Sequence, residues 1–496
     1  MRIALVLWLS AWSVWSAPRP DVLMIAIDDL RPMLGCYGDT RIKTPNIDRL
    51  AAQGVVFERA YCQYAKCGTS RLSLMSGLRP DSIGVFSNNS RDVKTFRKRR
   101  PDAVSLARHL KNSGYYARGF GKIYHDTWDV PSEWSEPPDP GRDREMWEIH
   151  DEKNPAGPTI IAERWDCPVM QGPDVPDNHL YAGRMTDQAV TLLRQRPNKK
   201  PMFLAVGYRR PHLPFVAPKK YWDLYQPEDS WLAKNPLPAK GSPVMAWFNS
   251  DGYVGGAKRA GLVMPNPPNR QQGIEWNGYE MRSYQGVPNH GAIRKELQIE
   301  LLHAYAACVS YVDTQIGRLL DALEKSGRAD NTVIVLWSDH GWHLGEQSAW
   351  GKMTNFEIAT RVPFIVAAPG IKPSRTRSLA ELVDLYPTLC ELTGSKPPSH
   401  LEGESLVPAL RRPDAQHTKH ALSQYARFRE KYMGRAIRTD RHRYVAWYEE
   451  KTGKIVAREL YDLDKDPNET RNIADDKLRA DLVQSLQSHL TKAFTR

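Results

Sequence analysis

Two apolar runs that end in acid constrain this chain more than any other feature. Residues 21–27 read Asp-Val-Leu-Met-Ile-Ala-Ile and stop at Asp28-Asp29; residues 332–337 read Thr-Val-Ile-Val-Leu-Trp and stop at Ser338-Asp339-His340-Gly341. Both are short and rich in strand formers. A stretch over about 295–325, where apolar residues recur at three and four, precedes the second run and predicts a helix. Two further runs, 203–206 and 363–367, continue the alternation. Such alternation predicts an α/β fold with a mostly parallel central sheet and helices on both faces. In sheets of this kind ligands gather at the carboxyl ends of strands. Asp28, Asp29, Asp339 and His340 would meet there. Three carboxylates on one point repel one another unless a cation neutralises them. Oxygen ligands favour Ca²⁺ or Mg²⁺, while the histidine keeps zinc open. The plainer reading of an Asp-Asp pair at a strand end is a turn or a helix cap.

The flanks set the organisation. Thr44-Pro45 predicts a helix start, with Thr44 as the cap and Pro45 in the first helical position. Residues 126–180 and 226–290 are rich in Pro, Trp and Gly, and structureless insertions of that length read as lids or substrate-binding loops. After about residue 412 the texture changes. Residues 436–448 and 458–463 predict antiparallel strands joined by a turn, followed by a turn at 464–468 and an amphipathic terminal helix. The expected division is therefore a catalytic domain over 17–412 and a smaller α+β subdomain over 413–496. Residues 1–16 have a short basic start, an apolar run over 3–9 and a small-residue cleavage site, the pattern of a signal peptide too short to span a bilayer. No later run of ~18 apolar residues follows. We expect a soluble exported protein without a membrane anchor, periplasmic or extracellular, or lysosomal in an animal.

A net charge of +12 and a pI near 9.3 predict an acidic partner. Export and the lack of any nucleic-acid-binding motif argue against nucleic acid. A sulfated or carboxylated polysaccharide fits better, and a merely solubilising surface is the bland alternative. The most basic local run is 94–100. Six cysteines at long spacings, with no Cys-x-x-Cys pair, argue against a structural zinc site and leave disulfide pairing open.

The remaining signal is a series of short motifs. Cys67-Gly68-Thr69-Ser70-Arg71 leads into Leu72-Ser73-Leu74-Met75-Ser76-Gly77-Leu78-Arg79-Pro80-Asp81. Around it lie Ile27-Asp28-Asp29-Leu30-Arg31-Pro32, Lys43-Thr44-Pro45-Asn46-Ile47-Asp48, Gly121-Lys122-Ile123-Tyr124-His125, Arg209-Arg210-Pro211-His212, Trp337-Ser338-Asp339-His340-Gly341 and Trp350-Gly351-Lys352-Met353. Taken in order, the series resembles the type I, formylglycine-dependent sulfatases over nearly the whole mature chain. Within that family it is most similar to the branch of iduronate-2-sulfatase and its bacterial relatives. The family pentapeptide is usually Cys-x-Pro-Ser-Arg or Cys-x-Ala-Ser-Arg, and Thr69 stands here at the Pro/Ala position.

The resemblance implies an alkaline-phosphatase/sulfatase-like fold and a specific division of labour. Cys67 would be oxidised by a formylglycine-generating maturation enzyme, and the hydrated aldehyde would be the nucleophile. Asp28, Asp29, Asp339, His340 and modified Cys67 would hold Ca²⁺. Arg71 and Lys122 would hold the diol; Lys352 and His212 would contact the sulfate, with His212 protonating the leaving oxygen. His125 would remove the last hydroxyl proton. These cations and proton carriers also satisfy what sulfate-ester cleavage demands on chemical grounds, since negative charge moves onto a departing oxygen. Arg209 and Arg210 are candidates for a carboxylate or neighbouring sulfate of a sulfated glycan. Two rivals stay open: a phosphodiester or phosphonate hydrolase of the same superfamily, and a catalytically silent glycan-binding protein.

Overall fold

The computed structural model describes residues 19–141, 148–162, 166–197, 199–259 and 261–495. The expected signal peptide, 1–16, lies outside the described residues. The central sheet contains β1 (Asp21–Ile27), β2 (Val55–Tyr61), β3 (Tyr116–Gly121), β4 (Met202–Tyr208), β5 (Thr332–Ser338), β6 (Arg361–Val362), β7 (Phe364–Ala367) and β8 (Ser374–Glu381). Their order is β6-β2-β7-β5-β1-β4-β3, with β8 on β2. Strands β3, β4, β1 and β5 run parallel, as does β8 with β2, while β6 and β7 oppose their neighbours. Register builds the site. Ile27 pairs with Tyr208 and with Ser338, so Asp28, Arg209 and Asp339 leave the sheet at one level.

Period-two alternation divides each central strand between two cores. Leu23, Ile25 and Ile27 pack with α1 (Pro45–Gln53), α3 (Tyr181–Gln195) and α4 (Lys295–Lys325). Val22, Met24 and Ala26 pack with α2 (Cys67–Ser76) and α5 (Leu385–Thr393) on the other face. Helices thus cover both faces. Ile25 is fully buried, so truncation to Ala should cost ~2–5 kcal/mol.

Three expectations need correction. Thr44 does precede the first turn of α1, but its hydroxyl does not cap it. It accepts from Gly35 N at 3.1 Å, and the carboxylate of Asp313 on α4 takes Asn46 N (3.1 Å) and Ile47 N (2.8 Å) instead. An ionised acceptor outcompetes a hydroxyl for those donors. The insertion 226–290 is not structureless. It holds the short helices Val244–Trp247, Val254–Arg259, Arg270–Trp276 and Tyr279–Arg282, and buries Trp247, Phe248 and Tyr279 against Phe356, Trp447 and Tyr461. It is a packed wall.

The third correction concerns the C-terminal sheet. Residues 436–448 are two strands, not one. Four antiparallel strands, β9 (Ala421–Arg427), β10 (Tyr432–Arg438), β11 (His442–Glu449) and β12 (Lys454–Asp462), carry α6 (Ala480–Phe494) on one face. The turn between β10 and β11 is closed by Thr439 N donating to His442 O at 2.8 Å, without glycine or proline to announce it. All six cysteines are free thiols. No described helix is long and apolar enough to cross a membrane.

Candidate active site

The carboxyl ends of β1 and β5, the start of α2 and the loops after β3 and β4 meet at one buried point. Asp28 N donates to Tyr208 O at 2.9 Å, fixing the tip of β1. Asp29 follows with φ 61°, a left-handed conformation that costs a non-glycine residue energy but suits Asp better than most. Tyr305 from α4 holds it there by donating to Asp29 O at 2.9 Å. At the tip of β5, the Ser338 hydroxyl donates to His340 O (2.8 Å) and accepts from Leu30 N (3.0 Å), locking the two acidic tips together.

Helix α2 is buried along its whole length, with Cys67 as its first residue and Arg71 one turn on, on the same face. Arg71 donates through Nε to Asp339 Oδ2 (2.7 Å), and Nη2 lies 3.4 Å from Asp28 Oδ1. The Ser70 hydroxyl donates to Asp339 O at 2.5 Å. Thr69 turns away from the site and donates to Val85 O at 2.9 Å. Lys122 pairs with Asp28 Oδ2. It reaches that position because Gly121 turns at φ 68° beside Gly207, where a Cβ would stand 2.1 Å from the Gly207 carbonyl oxygen. Lys352 donates to Asp29 Oδ1 (2.8 Å) and Oδ2 (3.1 Å) with its ammonium over the Trp342 ring.

The histidines divide by orientation. His340 Nδ1 lies 3.0 Å from Gly341 O, which can only accept, so Nε2 is left as a lone pair 3.3 Å from Cys67 Sγ. His212 is set the same way, with Nδ1 2.6 Å from Leu213 O and Nε2 3.5 Å from Glu280 Oε1 and 3.9 Å from Asp29 Oδ2. His125 faces Asp126, Nε2 to Oδ2 at 3.1 Å. Arg209 lies 3.4 Å from Asp126 as well. Arg210 is spent elsewhere, on the carbonyls of His212 (3.2 Å) and Glu148 (3.4 Å), and is buried. Three further residues of the site carried no signal in the sequence. Glu280 comes from the 226–290 wall and lies 3.5 Å from Lys352 Nζ; Asp126 and Trp342 back His125 and Lys352.

Burial dominates the protonation of this cluster, and neighbours decide the outcome. Burial alone would raise Asp28, but Lys122 and Arg71 outweigh it and hold the carboxyl well below its usual range. For Asp29 burial wins over Lys352, with Asp28 adding to it, and the carboxyl is pushed well up. Burial disfavours the Lys352 ammonium, yet Asp29 keeps it charged. Burial and then Lys352 hold His212 neutral. Burial lowers His125 to about 4 despite Asp126. Burial, reinforced by Asp28, lifts the Cys67 thiol to about 11.

The donor set fits a dication. One donor atom from each of Asp28, Cys67, Asp339 and His340 lies within 4.8 Å of the others, as do those of Asp28, Asp29, Cys67 and His212. Asp28, Asp29 and Asp339 have no exposed surface. His340, with its Nδ1 proton given to a backbone carbonyl, is oriented as metal-binding histidines are.

Comparison with known proteins agrees with this site. A family model described as sulfatase matches residues 20–395, and one described as the C-terminal part of N-sulphoglucosamine sulphohydrolase matches 345–496. Human iduronate 2-sulfatase is 32% identical, over 94% of this chain and 93% of its own. A protein solved in complex with its substrate D-glucosamine-2-N,6-O-disulfate superposes with a TM-score of 0.69 at 22% identity, covering 96% of this chain and 97% of that one. The phosphonate monoester hydrolase of Agrobacterium radiobacter gives 0.71 at 23%, covering 96% and 95%. These two structures establish the shared fold. The extent of the family match and the similarity to iduronate 2-sulfatase establish the rest: the chain belongs to the sulfatase family and is a sulfatase.

Proposed function

We propose that this sulfatase is exported and removes sulfate from an anionic, uronate-bearing glycan, acting near a chain end. One observation carries the reading: Cys67 sits at the focus of three buried carboxylates, three buried cations and the histidines His212 and His340, with its thiol held protonated by burial. A thiol in that state is a poor nucleophile. Oxidised to Cα-formylglycine, Cys67 would supply an attacking hydroxyl, and Ca²⁺ held by Asp28, Asp29, Asp339 and His340 would polarise the sulfate oxygens.

The chain's own residues do the rest. Lys122, Lys352 and Arg71 offset the negative charge gathered at the focus. His212 presents Nε2 to the leaving oxygen. The sulfate's charge raises its proton affinity, so the proton it delivers is taken up as substrate binds. His125, neutral above about pH 4, accepts a proton while Asp126 fixes its ring. Each such step is worth ~10²–10⁴-fold. Arg209, beside His125 on Asp126, is our candidate for a substrate carboxylate. Arg210, bound to two backbone carbonyls, positions the loop that carries His212. The substrate class draws support from the names of the relatives, iduronate 2-sulfatase and a protein bound to a disulfated glucosamine, and from the net charge of +12.

Mass spectrometry of the Cys67 tryptic peptide tests the nucleophile: fully active enzyme with an unmodified thiol overturns it. A panel of 2-O-sulfated uronate oligosaccharides beside aryl phosphonates tests the substrate. Faster phosphonate than sulfate turnover, with two tight zinc ions per chain, would reassign the chemistry.

A further inference from the structure

A cleft of about 1030 Å³ opens between residues 234–243 and the edge strand β12, away from Cys67. Lys234, Lys240 and Arg270 line it with Arg458, against one carboxylate, Asp475. Some surface cations are matched, as Arg318 is with Asp187 and Arg441 with Asp462. Among the described residues no carboxylate lies within 4.0 Å of the charged nitrogens of Lys234, Lys240 or Arg270, while Arg458 hydrogen-bonds the Tyr444 side chain. Arg270 is fixed to the wall by donating to Pro238 O at 2.8 Å. The floor is apolar, with Leu237 65% and Val456 47% exposed between Pro236, Pro238 and Pro243.

The walls are held rigid. Lys240 N donates to Thr470 O (2.8 Å) and Asn472 N to Lys240 O (2.9 Å), while Asn235 Nδ2 donates to Asn468 O (2.8 Å). The same segment is tied to the catalytic loop. Gln347 N donates to Asn235 O (2.9 Å), Ser348 N to Pro236 O (2.8 Å) and Ala239 N to Gln347 Oε1 (2.6 Å). Gln347 lies between His340 and Lys352 in the chain.

We propose that this cleft is a second, non-catalytic binding site for a sulfated or carboxylated glycan chain. Alternating cations and apolar carbon match a pyranose chain, whose C–H faces are apolar and whose substituents are anionic. Pockets for small ligands run to about 300–1,000 Å³, so the cleft is sized for several sugar residues. Its effect is to hold polymer on the enzyme and raise its effective concentration. Monomeric substrates gain nothing from it.

The test uses the full chain and heparin as the sulfated probe, with polygalacturonate as the carboxylated arm and duplex DNA as the polyanion control. Lys234→Ala/Lys240→Ala should weaken heparin binding at least about tenfold and flatten its salt dependence by about two counterions. A single Lys240→Glu should act in the same direction, and Tm should hold for both. Turnover of a small aryl sulfate should stay within about twofold, while KM for polymer rises. Unchanged heparin binding in both variants overturns the proposal, as does duplex DNA binding as tightly as heparin. Binding is read without turnover, so a chain that cleaves no sulfate at all but loses heparin binding on substitution would strike the catalytic reading and leave this site standing.

Discussion

Two of the places where this molecule buries charge differ in how it is matched. Where the C-terminal sheet meets the central one, Glu357 accepts from Tyr61 Oη (2.8 Å) and Arg438 Nε (3.1 Å), and Arg443 pairs with Glu469. Burial would raise Glu357, but Arg438 and Arg361 outweigh it and keep the carboxyl below its usual value. Each anion there lies against its own cation, although burial, with Glu357 adding to it, outweighs Arg443 and lifts the Glu469 carboxyl to about 7. At the catalytic centre Asp28, Asp29 and Asp339 converge on shared space, and Asp29 is left with its carboxyl pushed well up. A matched pair holds structure together; like charges brought together are poised for a ligand.

The comparison breaks first at Asp28. Asp28→Ala should lower kcat/KM for an aryl sulfate, per folded molecule, by about 10³-fold or more and remove bound metal, and it should also cost stability, since Lys122 is left buried without its carboxylate. Activity within tenfold of wild type, or retained metal by elemental analysis, would place the carboxylates among structural pairs. Arg438→Ala should cost stability alone. Chemical denaturation should show a loss of about 3–5 kcal/mol, because Glu357 is left buried without its cation, while activity per folded molecule persists. A mild cost would mean that the seam is not matched as described.

The smallest effect concerns pH. The His125 imidazole falls to about 4 on folding, so the unfolded chain takes up that proton first as pH drops. Stability is intact above the ordinary value of about 6.5 and declines toward pH 4, with a slope of at most about one proton. His125→Gln should flatten that limb in denaturation curves taken between those values. An unchanged slope assigns the decline to other groups.

What the sequence displayed, and what it hid, follows from range. The strand ends at Asp28-Asp29 and Asp339-His340 were legible because hydrophobic pattern and acidic tip are local, and parallel register then brings them together. Glu280 was not, because its four-residue helix lies in an insertion without periodicity and reaches His212 only through tertiary packing. The cap of α1 was hidden for the same reason, Asp313 being 266 residues from Ile47. Strand β9, Ala-Leu-Ser-Gln-Tyr-Ala-Arg, is buried throughout yet reads as mixed polarity, since Gln424 finds Asp81 and Arg427 finds Met353 O only in the fold. Arg210 reads from the sequence as a candidate for a substrate carboxylate or sulfate, and in the fold it bonds two backbone carbonyls.

The burial of α2 also fixes an order of events. With all ten residues covered and Cys67 at its inner end, no catalyst the size of a protein can touch that sulfur once the helix has docked. The docking partner Asp339 follows Ser70 by 269 residues. At ~5–20 residues per second of synthesis, the early segment waits ~15–50 s for the residues that will enclose it. Any enzyme acting on Cys67 must work within that interval or on a chain kept unfolded. A molecule that closes with its thiol intact stays as it is for the life of the fold.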